Sequence, residues 1–399
     1  MKRLRALIQK VKDKTEDTRV CRAVFLLIVA GQMLLAFFWM TERTGYHLDE
    51  LYSFGHAQAY FSPDPSDKEY IHNSSVWKYE TWTENREMKE RLEVSEEESA
   101  FSRPLPKVVK KLLKGRNYYG ILNILLSAFT RGKISPYPGT VFNMVFLFFT
   151  QILLYRITGE ITGNAKIALL AVLMYGFSTM ALNMTLYIRF YTFSIFLIMA
   201  ATRLHQIMWR TGNLWQCEAL IAAAMALFYF AIRNSALTLV FVGALVFCYM
   251  LGLLGKKQYR KAACYLVTVV PAGLAYLLRK TYYLDILLNP ADYTEDFWPL
   301  RDMVSSVLTI NGKTFLLVLR TFLKWFAETL FGSKYCLFSF SGMLLLLLCA
   351  RVLRGKKAGK PLPPEQREKF GFVLVIFGTV GIYLLFAGLT FASLISLAT

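Results

Sequence analysis

The sequence predicts an all-α protein that crosses a membrane about nine times. Of its 399 residues, 55% are hydrophobic and only 18% are charged, whereas ordinary soluble domains carry about 25% charged residues. The mean hydropathy is +0.39, and the apolar residues lie in runs of roughly 17 to 21 rather than at helix or strand spacing. The six cysteines show no CxxC spacing and no disulfide framework. These features exclude a soluble multidomain protein.

The nine predicted spans follow the apolar runs in order. They cover about residues 20–40, 141–157, 165–183, 190–208, 214–232, 235–254, 262–278, 336–350 and 371–389. The basic residues between them indicate the orientation, because cytoplasmic loops carry an excess of Lys and Arg. A basic N-terminus before the first span and basic loops at 156–166, 203–210, 256–261 and 351–369 all fall on one side. We therefore expect a cytoplasmic N-terminus.

The net charge of +19 follows from this arrangement, with 46 basic and 27 acidic residues. Since the basic residues gather in short segments between spans, they indicate membrane topology and contact with anionic lipid rather than nucleic acid.

The spans divide the chain into six predicted segments. These are a cytoplasmic basic N-terminus (1–19), the first span (20–40), a large outer loop (41–139), a six-span core (141–278), a second outer loop (279–335) and two C-terminal spans joined by a basic inner loop (336–399). The first outer loop contains an acidic helix, an amphipathic basic helix over 107–114 and an apolar segment at 118–129. A similar apolar segment lies at 315–331 in the second outer loop. We interpret both apolar segments as interfacial helices.

Two adjacent carboxylates directly follow the first span. Asp49 and Glu50 lie in the sequence YHLDELYSFGHA, with His47 and His56 close by. Such a pair can deprotonate an acceptor hydroxyl, or it can hold a divalent cation such as Mg²⁺ or Mn²⁺ together with either histidine. The alternative is a solvated start of the loop. Metal dependence stays open at this point.

Three segments, in order along the chain, resemble the GT-C superfamily of integral membrane glycosyltransferases. An N-terminal span followed at once by His-Leu-Asp-Glu looks like the first outer loop of that family. Residues 183–205, with Arg189, Phe190 and Tyr191, are similar to the family's Arg-x-Tyr segment at the fourth span. Residues 116–129 resemble its membrane-surface segment, although the expected Pro-Pro is absent. Tyr187 stands where an acidic residue is often found in the family.

The resemblance implies a GT-C-like fold and a glycosyltransferase that uses a polyprenyl-phosphate-linked sugar, as in bacterial mannosyl- and arabinosyl-type relatives. The sugar would move to an acceptor on the outer face with inversion. Asp49 would be the general base, and Glu50 would orient the acceptor or bind a metal with His47 or His56.

Cations near the outer headgroup plane would stabilise the leaving phosphate. Arg189 and Arg233 lie at predicted outer ends of spans, and Tyr191 could hydrogen-bond the same phosphate. The alternatives are Arg side chains that snorkel to lipid headgroups and a Tyr that serves as an interfacial anchor.

Two other classes of function remain open. A lipid or sugar transporter would also be polytopic, although transporters usually carry ionisable residues near the midplane and internal repeats. A non-catalytic envelope-assembly protein is the second alternative, because Tyr187 replaces a family carboxylate. A bacterial plasma membrane fits the topology, and an endoplasmic reticulum membrane fits it equally well.

Overall fold

The described part of the chain is all-α. The computed structural model describes residues 18–43, 45–47, 50–51, 53–54, 57, 93, 122, 126, 128–234, 237–279, 320–321, 324, 366 and 368–383. Most of these residues are helical, and no strand occurs among them. This agrees with the fold class predicted from the sequence.

Eight helices with defined bounds lie in these residues. They are α1 (Thr18–Thr41), α2 (Pro136–Thr162), α3 (Ala165–Gly176), α4 (Thr179–Leu186), α5 (Tyr191–Arg210), α6 (Leu214–Asn234), α7 (Leu237–Gly255) and α8 (Tyr259–Arg279). Residues 368–383 are also helical. Seven of the nine predicted spans therefore coincide with α1 to α8, and the last one partly with 368–383, whereas the predicted span 336–350 lies outside the described residues.

Four of the described helices are long and apolar enough to cross a membrane, namely α1, α2, α6 and α7. The bent pair α3 and α4 raises the number to five if the pair forms one span. α5 and α8 lie at predicted spans but are not among the four. In α5, the polar residues Arg203, His205 and Gln206 interrupt the apolar sequence. The count of nine spans stays a prediction.

The third predicted span, 165–183, is two helices rather than one. α3 and α4 meet at an angle of 56°. The Ser178 hydroxyl donates to the carbonyl of Tyr175 (2.6 Å) and accepts from the backbone N–H of Ala181 (3.1 Å), so it caps α4. Apolar composition alone predicted a continuous helix, because a Ser within an apolar run does not by itself predict a helix N-cap.

The chain forms two compact units. The N-terminal unit comprises Met1–Gly159, Asn164–Leu197 and Arg233–Ser235, and the C-terminal unit comprises Glu160–Gly163, Ile198–Ile232 and Ala236–Thr399.

The N-terminal unit is held together by a buried amide pair between its helices. The side chain of Gln32 in α1 donates to the carbonyl of Val172 in α3 (3.0 Å) and accepts from the amide of Gln151 in α2 (2.9 Å). A Cβ atom on Gly176 would overlap both amide groups, so only glycine fits there. Hydrogen bonds between helices and close approach at small residues are the usual means by which helices associate in lipid.

The C-terminal unit has one apolar core built from α5 to α8 and residues 368–383. Its largest fully buried side chains are Trp209, Tyr249, Tyr265 and Phe372. Exposed apolar residues such as Val267 (72%) and Leu274 (53%) cover the outside of α8. An apolar exterior is expected for a surface that faces lipid.

Candidate functional site

Two segments far apart in sequence meet in the N-terminal unit. The first follows α1 and includes Arg43, His47 and Glu50. The second is the short link between α4 and α5, residues 187–190. Glu50 contacts Ile188, and His47 contacts Tyr187, across 138 and 140 positions of sequence. These two hydrogen bonds thus join the first and second of the three segments on which the resemblance to GT-C enzymes depends.

Glu50 lies at the centre of this contact. Its side chain is fully buried, and its carboxylate accepts three hydrogen bonds. Oε1 accepts from the backbone N–H of Ile188 (2.7 Å), while Oε2 accepts from the backbone N–H of His47 (2.7 Å) and from the guanidinium of Arg43. These donors come from both segments, so Glu50 closes the contact between them.

The bond from the backbone N–H of His47 to Glu50 is one half of a capping box, with His in the first position. The backbone N–H groups of Glu50 (2.9 Å) and Leu51 (3.2 Å) both donate to the carbonyl of His47, which marks His47 as the residue before a helical turn. A Glu three residues later that reaches back to that residue's N–H is the reciprocal half of the motif. The spacing His-x-x-Glu therefore has a local structural reason.

Arg43 completes the contact from the end of α1. Its Nε donates to the carbonyl of Gly45 (2.6 Å), its Nη1 donates to the carbonyl of Leu186 (2.9 Å), and its Nη2 pairs with Glu50. The guanidinium also lies 4.9 Å from the ring centroid of Tyr46. Arg43 thus connects the first loop to the end of α4 and neutralises the buried carboxylate of Glu50.

The link after α4 is also held from α2. The side-chain amide of Asn143 donates to the carbonyls of Thr185 (3.1 Å) and Tyr187 (2.8 Å). Ile188 is fully buried, and a Cβ atom on Gly139 would overlap its side chain. α2 and Glu50 therefore hold the same link from two elements, which leaves little freedom to residues 185–189.

Aromatic rings line the more open part of the site. His47 is exposed, and its Nδ1 is hydrogen-bonded to the hydroxyl of Tyr187 (2.9 Å). The ring of Tyr187 lies nearly parallel to that of Tyr191, with centroids 5.9 Å apart. The two tyrosines and His47 form a continuous aromatic row, with polar groups at one end, that can contact the face of a ligand.

Arg189 lies in the same link as Tyr187. It is 7% exposed, and its Nη1 donates to the hydroxyl of Ser53 (3.1 Å). Its neighbour Ile188 belongs to an apolar cluster with Leu51, Phe54, Ala57, Leu122, Leu126 and Ile134. Leu122 and Leu126 belong to the predicted interfacial segment 118–129, which thus contributes to the packing of the site.

Tyr46 packs against the same cluster and is excluded as a base. Burial raises the pKa of its phenol to about 12, while the neighbouring Arg43 cation opposes the rise. The phenol is therefore protonated over the whole physiological range. Glu93 lies close by in the structure, where its carboxylate accepts from the backbone N–H of Ile134 (3.1 Å).

Two predicted site residues, Asp49 and His56, lie outside the described residues. The backbone of Arg233 lies in the last turn of α6, and its side chain is outside the described part of the chain. Among the described residues, no group of three or more His, Cys, Asp or Glu side chains could hold a metal ion. The metal interpretation, in which Glu50 binds a metal with His47 or His56, stays a prediction, as do the catalytic and phosphate-binding assignments.

Sequence reasoning missed three residues of the site. Arg43 and Ser53 showed no motif, because a lone Arg at the end of a span and a Ser in a loop are ordinary features. Tyr187 was noted only for the missing family carboxylate, whereas it is the partner of His47. One signal was available, since His47 and Glu50 have the spacing of a capping box.

Comparisons with protein-family models, with curated proteins and with solved structures found no match for this chain.

Proposed function

We propose that this chain is a membrane glycosyltransferase that moves a sugar from a polyprenyl-phosphate donor to an acceptor on the outer face. The observation that supports this most is the contact between the His-Leu-Asp-Glu segment and the Arg-x-Tyr segment through Glu50, His47 and Arg43. In the families that this sequence resembles, both segments serve one reaction. Their meeting in one packed site is what a shared role requires.

In the proposed reaction, Asp49 is the general base. It takes the proton of the acceptor hydroxyl while the acceptor oxygen attacks the anomeric carbon. The bond from that carbon to the phosphate oxygen breaks, and polyprenyl phosphate leaves with the electron pair. Attack from the face opposite the phosphate inverts the configuration of the anomeric carbon.

Arg189, Tyr191 and Arg233 are the proposed partners of the leaving phosphate. Arg189 and Tyr191 belong to the segment that contacts the first loop, so a phosphate bound there would lie near the base. A buried guanidinium is a strong donor because it meets little competition from water. His47 and His56 are the proposed acceptor-side residues.

The proposed topology has nine spans and a cytoplasmic N-terminus in a plasma membrane. The membrane-length helices α1, α2, α6 and α7 and the bent pair α3 and α4 support the first part of this topology. The site then lies just after α1, which places it on the outer side if the N-terminus is inside.

The test is consumption of a panel of labelled polyprenyl-phosphate sugars by the purified full-length protein in lipid nanodiscs with a membrane extract as acceptor source. We expect the wild type to consume one donor and Asp49→Asn to consume none. Glu42→Gln is the matched control, because Glu42 is an exposed carboxylate in the same segment. Full transfer by Asp49→Asn would show that the base is wrong, and an inactive wild type would favour a transporter or an assembly protein.

A further inference from the structure

We infer that Glu50, together with Arg43, is a positioning pair rather than a second catalytic carboxylate. The pair holds the segment that carries Asp49 against the link that carries Arg189 and leads into Tyr191 of α5. This inference rests on the proposed function, and it adds a role for Arg43 that the sequence did not indicate.

The first step of the argument is access. Glu50 is fully buried, and its two oxygens already accept from Arg43, His47 and Ile188. A base or a metal ligand needs an oxygen that is open to the substrate or the ion. A carboxylate that accepts several hydrogen bonds while buried is instead a fixed anion, whose partners lose their orientation when it is removed.

The second step is what the pair connects. Glu50 binds the link through the N–H of Ile188, and Arg43 binds the end of α4 through the carbonyl of Leu186. Glu50 also binds the N–H of His47, whose ring contacts Tyr187. The two side chains therefore connect the first loop to the segment 186–189 through three separate bonds.

The third step is the consequence for the reaction. Asp49 immediately precedes Glu50, so a shift of Glu50 by one ångström moves the backbone that carries the base by a similar amount. Misplacement of that size lowers catalysis by about 100-fold even when the altered residue does not touch the substrate. Asn143 of α2 holds the link that carries Arg189 independently of Glu50, so the loss should fall mainly on kcat rather than on KM for the donor.

The experiment uses the full-length protein in nanodiscs with the donor found in the panel. Glu50→Gln keeps the size of the side chain but places an amide where Arg43 needs an anion. We expect kcat per folded molecule to fall about 100-fold while KM for the donor changes less than about threefold. Glu42→Gln serves as the exposed control and should retain wild-type kcat.

The double variant Arg43→Gln with Glu50→Gln tests the pairing. Because two facing amides can hydrogen-bond each other, its loss of kcat should be smaller than the product of the losses of the two single variants. If the loss of kcat in the double variant equals the product of the losses in the two single variants, the pairing is overturned.

A second readout does not depend on activity. The four histidines of the chain can be labelled with diethyl pyrocarbonate and located by mass spectrometry. Labelling of His47 should become faster in Glu50→Gln, because its backbone N–H loses the carboxylate and its ring loses its fixed position against Tyr187. Unchanged labelling of His47 would overturn the inference.

The outcomes separate this inference from the proposed function. An active wild type with an unimpaired Glu50→Gln overturns the inference alone. An active wild type in which Glu50→Gln raises KM for the donor and leaves kcat unchanged also overturns it, because Glu50 would then bind substrate. A wild type that consumes no donor overturns the proposed function and this inference with it.

Discussion

The two units use buried polar side chains in different ways. In the N-terminal unit, Glu50, Arg43 and His47 connect the first loop to the link between α4 and α5, and the aromatic row of His47, Tyr187 and Tyr191 lies beside them. In the C-terminal unit, the buried His205 connects two helices. Its Nδ1 donates to the carbonyl of Ala201 (2.7 Å), and its Nε2 accepts from the hydroxyl of Tyr265 (2.8 Å).

The location of these hydrogen bonds in the fold explains the difference. The bonds of Glu50 join the residues that follow α1 to the link between α4 and α5, where Ile188 lies outside the helices. His205 bonds to Ala201 within α5 and to Tyr265 of α8, so both partners lie in helices whose backbone is already regular, and the rings of Phe228, Tyr249 and Tyr265 surround it. A polar group in the first setting determines the geometry of a site, while one in the second setting only stabilises the packing.

The largest expected effect is on Glu50. Glu50→Ala leaves Arg43, whose side chain is only 16% exposed, without its anion and leaves two backbone N–H groups without an acceptor. Loss of one partner of a buried pair costs about 3 kcal/mol or more. Thermal unfolding of the solubilised protein measures this, with Glu42→Ala as the exposed control. A loss no larger than that of the control would contradict the assignment of Glu50 as a central contact.

A smaller effect is expected for His205. His205→Leu leaves the hydroxyl of Tyr265 buried without its acceptor, at a cost of about 2 kcal/mol in the free energy of unfolding. The double variant with Tyr265→Phe should recover part of this loss, because it removes the stranded hydroxyl as well. The kcat per folded molecule should equal that of the wild type. A large fall in kcat for His205→Leu would contradict the conclusion that His205 stabilises packing without affecting the site.

The smallest effect is expected for the ion pairs at the helix ends of the C-terminal unit. Glu160 pairs with Arg203 (16% exposed) and Arg210 (34% exposed), and its own side chain is 36% exposed, whereas that of Glu50 is fully buried. Exposed pairs of this kind contribute less than about 1 kcal/mol and are screened by salt. Glu160→Gln should lower the unfolding temperature slightly at low salt and leave it unchanged in high salt. If Glu160→Gln lowered the unfolding temperature as much as Glu50→Ala at every salt concentration, the exposure of a carboxylate would not predict how much its ion pair contributes to stability.

Much of the fold was predictable from composition along the chain. The predicted span 214–232 coincides with α6 (Leu214–Asn234), and the predicted span 235–254 coincides with α7 (Leu237–Gly255). A run of apolar residues long enough to cross a membrane can satisfy its backbone only as a helix, so the sequence determines the element by itself. The sequence also indicated His47, Glu50, Arg189 and Tyr191 as site residues. The structure brings their segments together, and their roles in a reaction stay predictions.

Tertiary structure decided how those residues interact. Adjacent carboxylates in a sequence look equivalent, yet Glu50 is buried against Arg43, His47 and Ile188. Its partner Ile188 contributes only a backbone N–H, a group that every residue except proline has, so no side-chain pattern identifies it. The break between α3 and α4 depends likewise on one hydroxyl at Ser178. Hydropathy is a property of each residue, and it determines which segments are helical. The hydrogen bond between Ile188 and Glu50 joins segments 138 positions apart, so it depends on how the helices that carry these segments pack.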